Sequence, residues 1–61
     1  MALALRQISY ARESGQHYYP FWRIDFELDG KRRWHEVQAQ NAICAEQEFC
    51  AQLRVPWPLA R

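Results

Sequence analysis

Trp22-Arg23-Ile24-Asp25-Phe26-Glu27-Leu28-Asp29-Gly30-Lys31-Arg32-Arg33-Trp34 is the stretch that decides the fold. Its first seven residues alternate strictly, with Trp22, Ile24, Phe26 and Leu28 on one face and Arg23, Asp25 and Glu27 on the other. A period of two marks a half-buried β-strand. Asp29-Gly30 then supplies two residues that tolerate positive φ, as a type I′ turn demands. The chain should fold back on itself after Leu28, and Lys31 to Ala39 should return as an antiparallel strand.

A two-residue loop also fixes register. It sets Leu28 opposite Lys31, and from there Phe26 opposite Arg33, Ile24 opposite His35 and Trp22 opposite Val37 on the inner face. On the outer face Glu27 meets Arg32 and Arg23 meets Glu36. Both outer pairs are opposite in charge, and each such pair contributes about 0.2–1 kcal/mol. A slip of one residue would break both pairs and turn Val37 outward. Turn chemistry, charge and apolar face all select one register.

The rest of the chain is read outward from this hairpin. Upstream, the second strand is expected to begin at Tyr18, so that it spans 18–28. Glu13 to His17 reads as a turn pivoting on Gly15. Leu3 to Arg12 reads as a first strand, but its apolar phase slips between Leu3/Leu5 and Ile8/Tyr10. That slip predicts a bulge or a frayed start. Downstream, Asn41 is a good N-cap for a helix over 42–54. Ala42, Ala45, Phe49 and Leu53 form its apolar stripe, with Ile43 and Cys50 on the shoulder. Pro56 and Pro58 forbid its continuation, so 55–61 should run extended, with Trp57 laid over an edge of the core. The predicted fold is α+β. It is a single β-β-β-α domain over 1–61, an antiparallel three-stranded sheet with one helix packed on one face.

Size and composition narrow the function. Sixty-one residues allow one domain. A chain this short buries only about 60% of the surface it exposes when unfolded, which leaves no room for a deep walled cleft. The net charge is +1, without the basic excess that phosphate neutralisation requires of a dedicated nucleic-acid binder. Cys44 and Cys50, six residues apart, fall on different sides of a helix, so free thiols in a reducing cytoplasm are expected. Met1-Ala2-Leu3-Ala4-Leu5-Arg6 is too short an apolar run for a signal peptide, and no stretch approaches the roughly 20 apolar residues of a membrane span.

No constellation predicts catalysis. The chain has two serines and no threonine, and neither serine sits in a nucleophile elbow. Gly15 and Gly30 stand alone, each explained by a turn rather than a phosphate loop. His17, His35, Cys44 and Cys50 match no zinc spacing. Neither a metal nor another cofactor is expected, and the chain reads as a non-enzyme. Arg33 and His35 share the inner face with Glu46, and the expected roles are structural: an internal pairing with Glu46, or positions at the solvated rim.

The run Phe21 to Trp34, followed by an Ala- and Glu-rich helix, resembles the arm-type DNA-binding domain of phage integrases. Those domains are three-stranded sheets with one helix that lay the sheet in the major groove. The resemblance covers about half of the chain and rests on the Trp-x-x-x-x-x-x-Asp-Gly-Lys-Arg hairpin. It implies a DNA contact through Arg23, Lys31, Arg32, Arg33 and Trp34. In size and style the chain is also similar to the small stand-alone inhibitors encoded by phages and mobile elements, anti-CRISPR proteins among them.

The residues themselves favour a protein partner. The outer sheet face carries Phe21, Arg23, Asp25, Glu27, Arg32, Trp34 and Glu36, and its charges are mixed. Two aromatic rings there have no core to fill, and aromatic anchors ringed by charge are typical of binding hot spots. The expected contact residues are Phe21, Arg23, Arg32, Trp34 and Glu36. Duplex DNA is the alternative partner, and a homodimer paired through an open strand edge is the third.

Overall fold

The computed structural model describes residues 2–59. Three strands, β1 (Leu3–Arg12), β2 (Phe21–Leu28) and β3 (Lys31–Gln38), precede one helix, α1 (Ala42–Leu53). The sheet is antiparallel in the order β1-β2-β3, and α1 packs on one face of it. This is the α+β arrangement that the hairpin and the helix signals imply.

The turn takes the expected form. Asp29 has φ of 52° and Gly30 of 81°, the paired positive values of a type I′ loop. From Leu28↔Lys31 to Phe21↔Gln38 the β2–β3 register runs without a shift. Ala2 ties the start of the chain to this turn: its N–H donates to Asp29 Oδ1 at 2.8 Å, and its carbonyl accepts from Asp29 N–H at 2.7 Å.

The phase slip in the first strand becomes two irregularities. Register shifts fall between Leu5 and Gln7 and between Tyr10 and Arg12. The first sets Leu3, Leu5, Ile8 and Tyr10 opposite Leu28, Phe26, Ile24 and Trp22, all on the inner face. The second returns Arg12 to the outer face, opposite Phe21. β2 begins at Phe21 rather than Tyr18. Tyr18 N–H closes the preceding turn onto Gly15 O at 3.0 Å, and Pro20 has no N–H for a ladder. β3 ends at Gln38, although Ala39 N–H still reaches Pro20 O at 3.0 Å.

Leu5, Ile24, Phe26 and Val37 from the sheet, with Ala39 just beyond β3, meet Ala45 and Phe49 from α1 in one buried cluster. The Phe26 and Phe49 rings pack tilted at 54° to each other, with their centres 4.9 Å apart. Burying one such side chain contributes about 1.5–3 kcal/mol, so this pair matters greatly in so small a core. Trp22 closes one end of the inner face. Its Nε1–H donates to Ala39 O at 2.9 Å, and Tyr10 meets its ring edge-on.

α1 is capped as its sequence predicts at the start, where Asn41 Oδ1 accepts from Cys44 N–H at 2.8 Å. It ends at Leu53, one residue before the expected Arg54. Arg54 turns left-handed with φ of 57°, and its N–H and that of Val55 satisfy Ala51 O and Cys50 O. The buried stripe is Ala45, Glu46, Phe49 and Cys50. Ile43, expected on its shoulder, points to solvent instead. In the tail, Leu59 packs on the core, while Trp57, expected over an edge of the core, remains about half exposed. Leu59 is anchored by its N–H, which donates to Glu46 Oε2 at 3.2 Å. The last two positions of the expected tail, 60–61, lie outside the described residues, as does the first of the expected domain.

Candidate functional site

Alternation along β2 and β3 puts Phe21, Arg23, Asp25, Glu27, Arg32, Trp34 and Glu36 on the face away from α1. Each then finds a partner on that face. Arg23 donates through Nε to Asp25 Oδ1 at 3.1 Å, and its guanidinium lies 4.7 Å from the centre of the Trp34 ring. Glu27 takes Arg32 at 3.7 Å and Arg6 at 3.6 Å. Glu36 takes Arg12, whose guanidinium passes over the Phe21 ring on the way.

Two features of this network differ from the sequence reading. Arg23 and Glu36 are opposite in register, as predicted, but the ion pair between them is replaced. Arg23 is drawn along its own strand by Asp25 and the Trp34 ring, while Arg12 reaches Glu36 across β2. Arg6 and Arg12 were also missing from the predicted face. They join it through the β1 register shifts, whose placement the sequence signalled only as a slip in phase. Among the described residues the face therefore holds four arginines against three carboxylates, each carboxylate in contact with arginine. Exposed pairs of this kind contribute only about 0.2–1 kcal/mol each. Two of these arginines also lie against aromatic rings, Arg12 over Phe21 and Arg23 beside Trp34.

The two predicted aromatic anchors are unequal. Phe21 is half-buried beneath Arg12, whereas Trp34 is 58% exposed. Lys31, Arg32 and Arg33 at the hairpin tip are all exposed.

The inner-face polar residues divide between rim and core. Arg33 and His35 both reach solvent. His35 Nε2 lies 3.1 Å from Gln52 Oε1, and its ring flanks Phe49 at 6.1 Å. Glu46 is 2% exposed and holds the tail through Leu59. Arg33 and His35 thus take the solvated rim, one of the two expected arrangements, whereas Glu46 is buried instead of joining them there. Cys44 and Cys50 are free thiols, and burial, helped by the negative charge of Glu46, pushes the Cys50 thiol above its ordinary range.

A surface concavity of about 470 Å³ lies under the 13–20 loop, lined by Tyr10, Glu13, Ser14, Gly15, Gln16, Tyr18 and Pro20. Ser14 Oγ within it accepts from Gln38 Nε2 at 3.1 Å, a tie between loop and strand. Among the described residues, no three His, Cys, Asp or Glu side chains gather as for a metal ion. No helix among them is long and apolar enough to cross a membrane. No protein-family model, curated protein or solved structure matches this chain.

Proposed function

We propose that this domain is a non-catalytic protein-binding module that docks its partner on the outer sheet face. Trp34 is the anchor, and Phe21, Arg23, Arg32 and Glu36 surround it. The observation that carries this reading is a Trp ring more than half exposed and braced by an arginine, on a face α1 does not cover. Tryptophan and arginine together are the commonest hot-spot residues of protein interfaces. In this reading the chain acts in the cytoplasm as an inhibitor or regulator of the kind encoded by phages and mobile elements.

Quantitative affinity capture from the source cells, with wild type and Trp34→Ala side by side, tests this proposal. Circular dichroism first establishes that both are folded. A specific protein retained by the wild type and lost from the variant is the expected outcome. Equal retention by both overturns the reading.

Duplex DNA is the second reading. It is favoured by Arg6 and Arg12 on the sheet face and by the exposed Lys31-Arg32-Arg33 tip, and it matches the likeness to integrase arm domains. It predicts binding, measured by fluorescence anisotropy on a duplex, that falls steeply between about 50 and 200 mM salt. A flat response removes it.

A further inference from the structure

The two edges of this sheet are not alike. β1 carries two register shifts, and irregularities of this kind twist an edge away from further pairing. β3 has none along its eight residues, and among the described residues the strand order leaves its far side unpaired.

The direction of each backbone group on β3 follows from the turn. The pair closing a two-residue loop, Leu28 and Lys31, exchanges both backbone hydrogen bonds, and such pairs then alternate along the ladder. Lys31, Arg33, His35 and Val37 therefore bond to β2. The hydrogen bond from Ala39 N–H to Pro20 O continues the same parity. Arg32, Trp34 and Glu36 consequently aim their N–H and C=O groups away from β2, at the open edge.

We propose that this edge binds a second copy of the chain. Two β3 strands pair antiparallel about a two-fold axis at Trp34, giving a continuous six-stranded sheet. Residue numbers of paired positions then sum to 68, so Trp34 meets Trp34 of the other copy and Arg32 meets Glu36 twice over. All these positions have outward-facing backbone groups, so the register is allowed by hydrogen bonding as well as by symmetry. Charge complementarity selects it. On the outer face, the row Arg6–Glu27–Arg32 ends at the β3 edge in a cation. The row Arg12–Glu36 ends at the same edge in a carboxylate. The two-fold axis joins the cationic end of one row to the acidic end of the other, so that signs alternate across the seam. The Trp34 pair sits between the two junctions, still on the outer face. This inference does not depend on what that face binds.

Sedimentation and amide exchange on the wild-type chain test it. The mass should rise from 7.4 kDa towards twice that value as concentration increases. Over the same range the amides of Arg32, Trp34 and Glu36 should slow in exchange, while those of Arg33, His35 and Val37 stay unchanged. Arg32→Glu should weaken the dimer about tenfold, because it reverses two cross-strand charge pairs. Arg32→Glu combined with Glu36→Arg should restore it. A chain monomeric at millimolar concentration, or a dimer that leaves the Arg32, Trp34 and Glu36 amides unprotected, overturns the proposal. So does a folded double variant that fails to regain association.

Discussion

The Arg12 guanidinium lies over the Phe21 ring, 4.3 Å from its centre, and reaches beyond it to Glu36 on β3. One side chain from β1 thus spans the whole width of the sheet. Arg12 is more than half exposed, so its contact with the ring is worth about 0.5–1 kcal/mol, the range for cation–π pairs at exposed sites. A double-mutant cycle with Arg12→Gln and Phe21→Leu, read by urea unfolding, should return a coupling energy in that range. Additive losses would mean that the two side chains act independently.

The turn at Asp29-Gly30 makes a second prediction. A Cβ at Gly30 would meet nothing within 4 Å, so any loss in Gly30→Ala comes from backbone conformation alone. Holding an L-residue at its φ of 81° costs about 1–2 kcal/mol. Gly30→Ala should lower stability by that amount. A D-alanine at the same position, accessible by chemical synthesis in a chain of this length, should lower it little or not at all. Equal losses for both stereoisomers would mean that the turn does not hold this conformation in solution.

That turn also explains how much of the fold the sequence carried. Eight β2–β3 pairs follow from Asp29-Gly30 and the alternation before it, because a two-residue loop leaves no freedom in register. The phase slip in β1 likewise announces irregular pairing, but not which face Arg6 and Arg12 would join. That depends on where the shifts fall relative to β2, across a connection, 13–20, with no fixed geometry. The charged network was therefore half legible: Glu27–Arg32 is local to the turn, whereas Arg12–Glu36 crosses three strands. Trp34 could be placed on the outer face from alternation alone. The packing of Leu59 on the core could not be foreseen, since two prolines in three residues leave no period to read.

The tail contact makes a third prediction. Glu46 Oε2 is the acceptor for Leu59 N–H in a nearly dry setting. Removing one partner of a buried hydrogen bond costs about 1–3 kcal/mol. Glu46→Ala should destabilise the domain by this amount and speed the exchange of the Leu59 amide. Glu46→Gln keeps an acceptor oxygen in place and should leave that amide largely protected. If Leu59 exchanges at the same rate in all three proteins, the contact does not hold the tail.

The two thiols should behave differently towards reagents and towards pH. Cys50 is buried and Cys44 half-buried, and only the thiolate is a nucleophile. Burial disfavours the thiolate of Cys50, and the neighbouring carboxylate of Glu46 adds to the effect. Cys44 should therefore react first with a maleimide under native conditions, with Cys50 following only as the chain unfolds. The sign of the pH effect follows from the raised value. The folded chain holds the Cys50 proton more tightly than the unfolded chain, so this contribution to stability is fully present below the ordinary thiol range. It is lost as pH rises through that range towards the folded value, because the unfolded chain ionises first. Cys50→Ala should lower stability at neutral pH by leaving a small cavity, yet decline less between pH 8 and 10 than the wild type, taking these as bracketing the ordinary thiol value of about 8.5. Parallel alkaline declines in the two proteins would remove Cys50 as the group responsible.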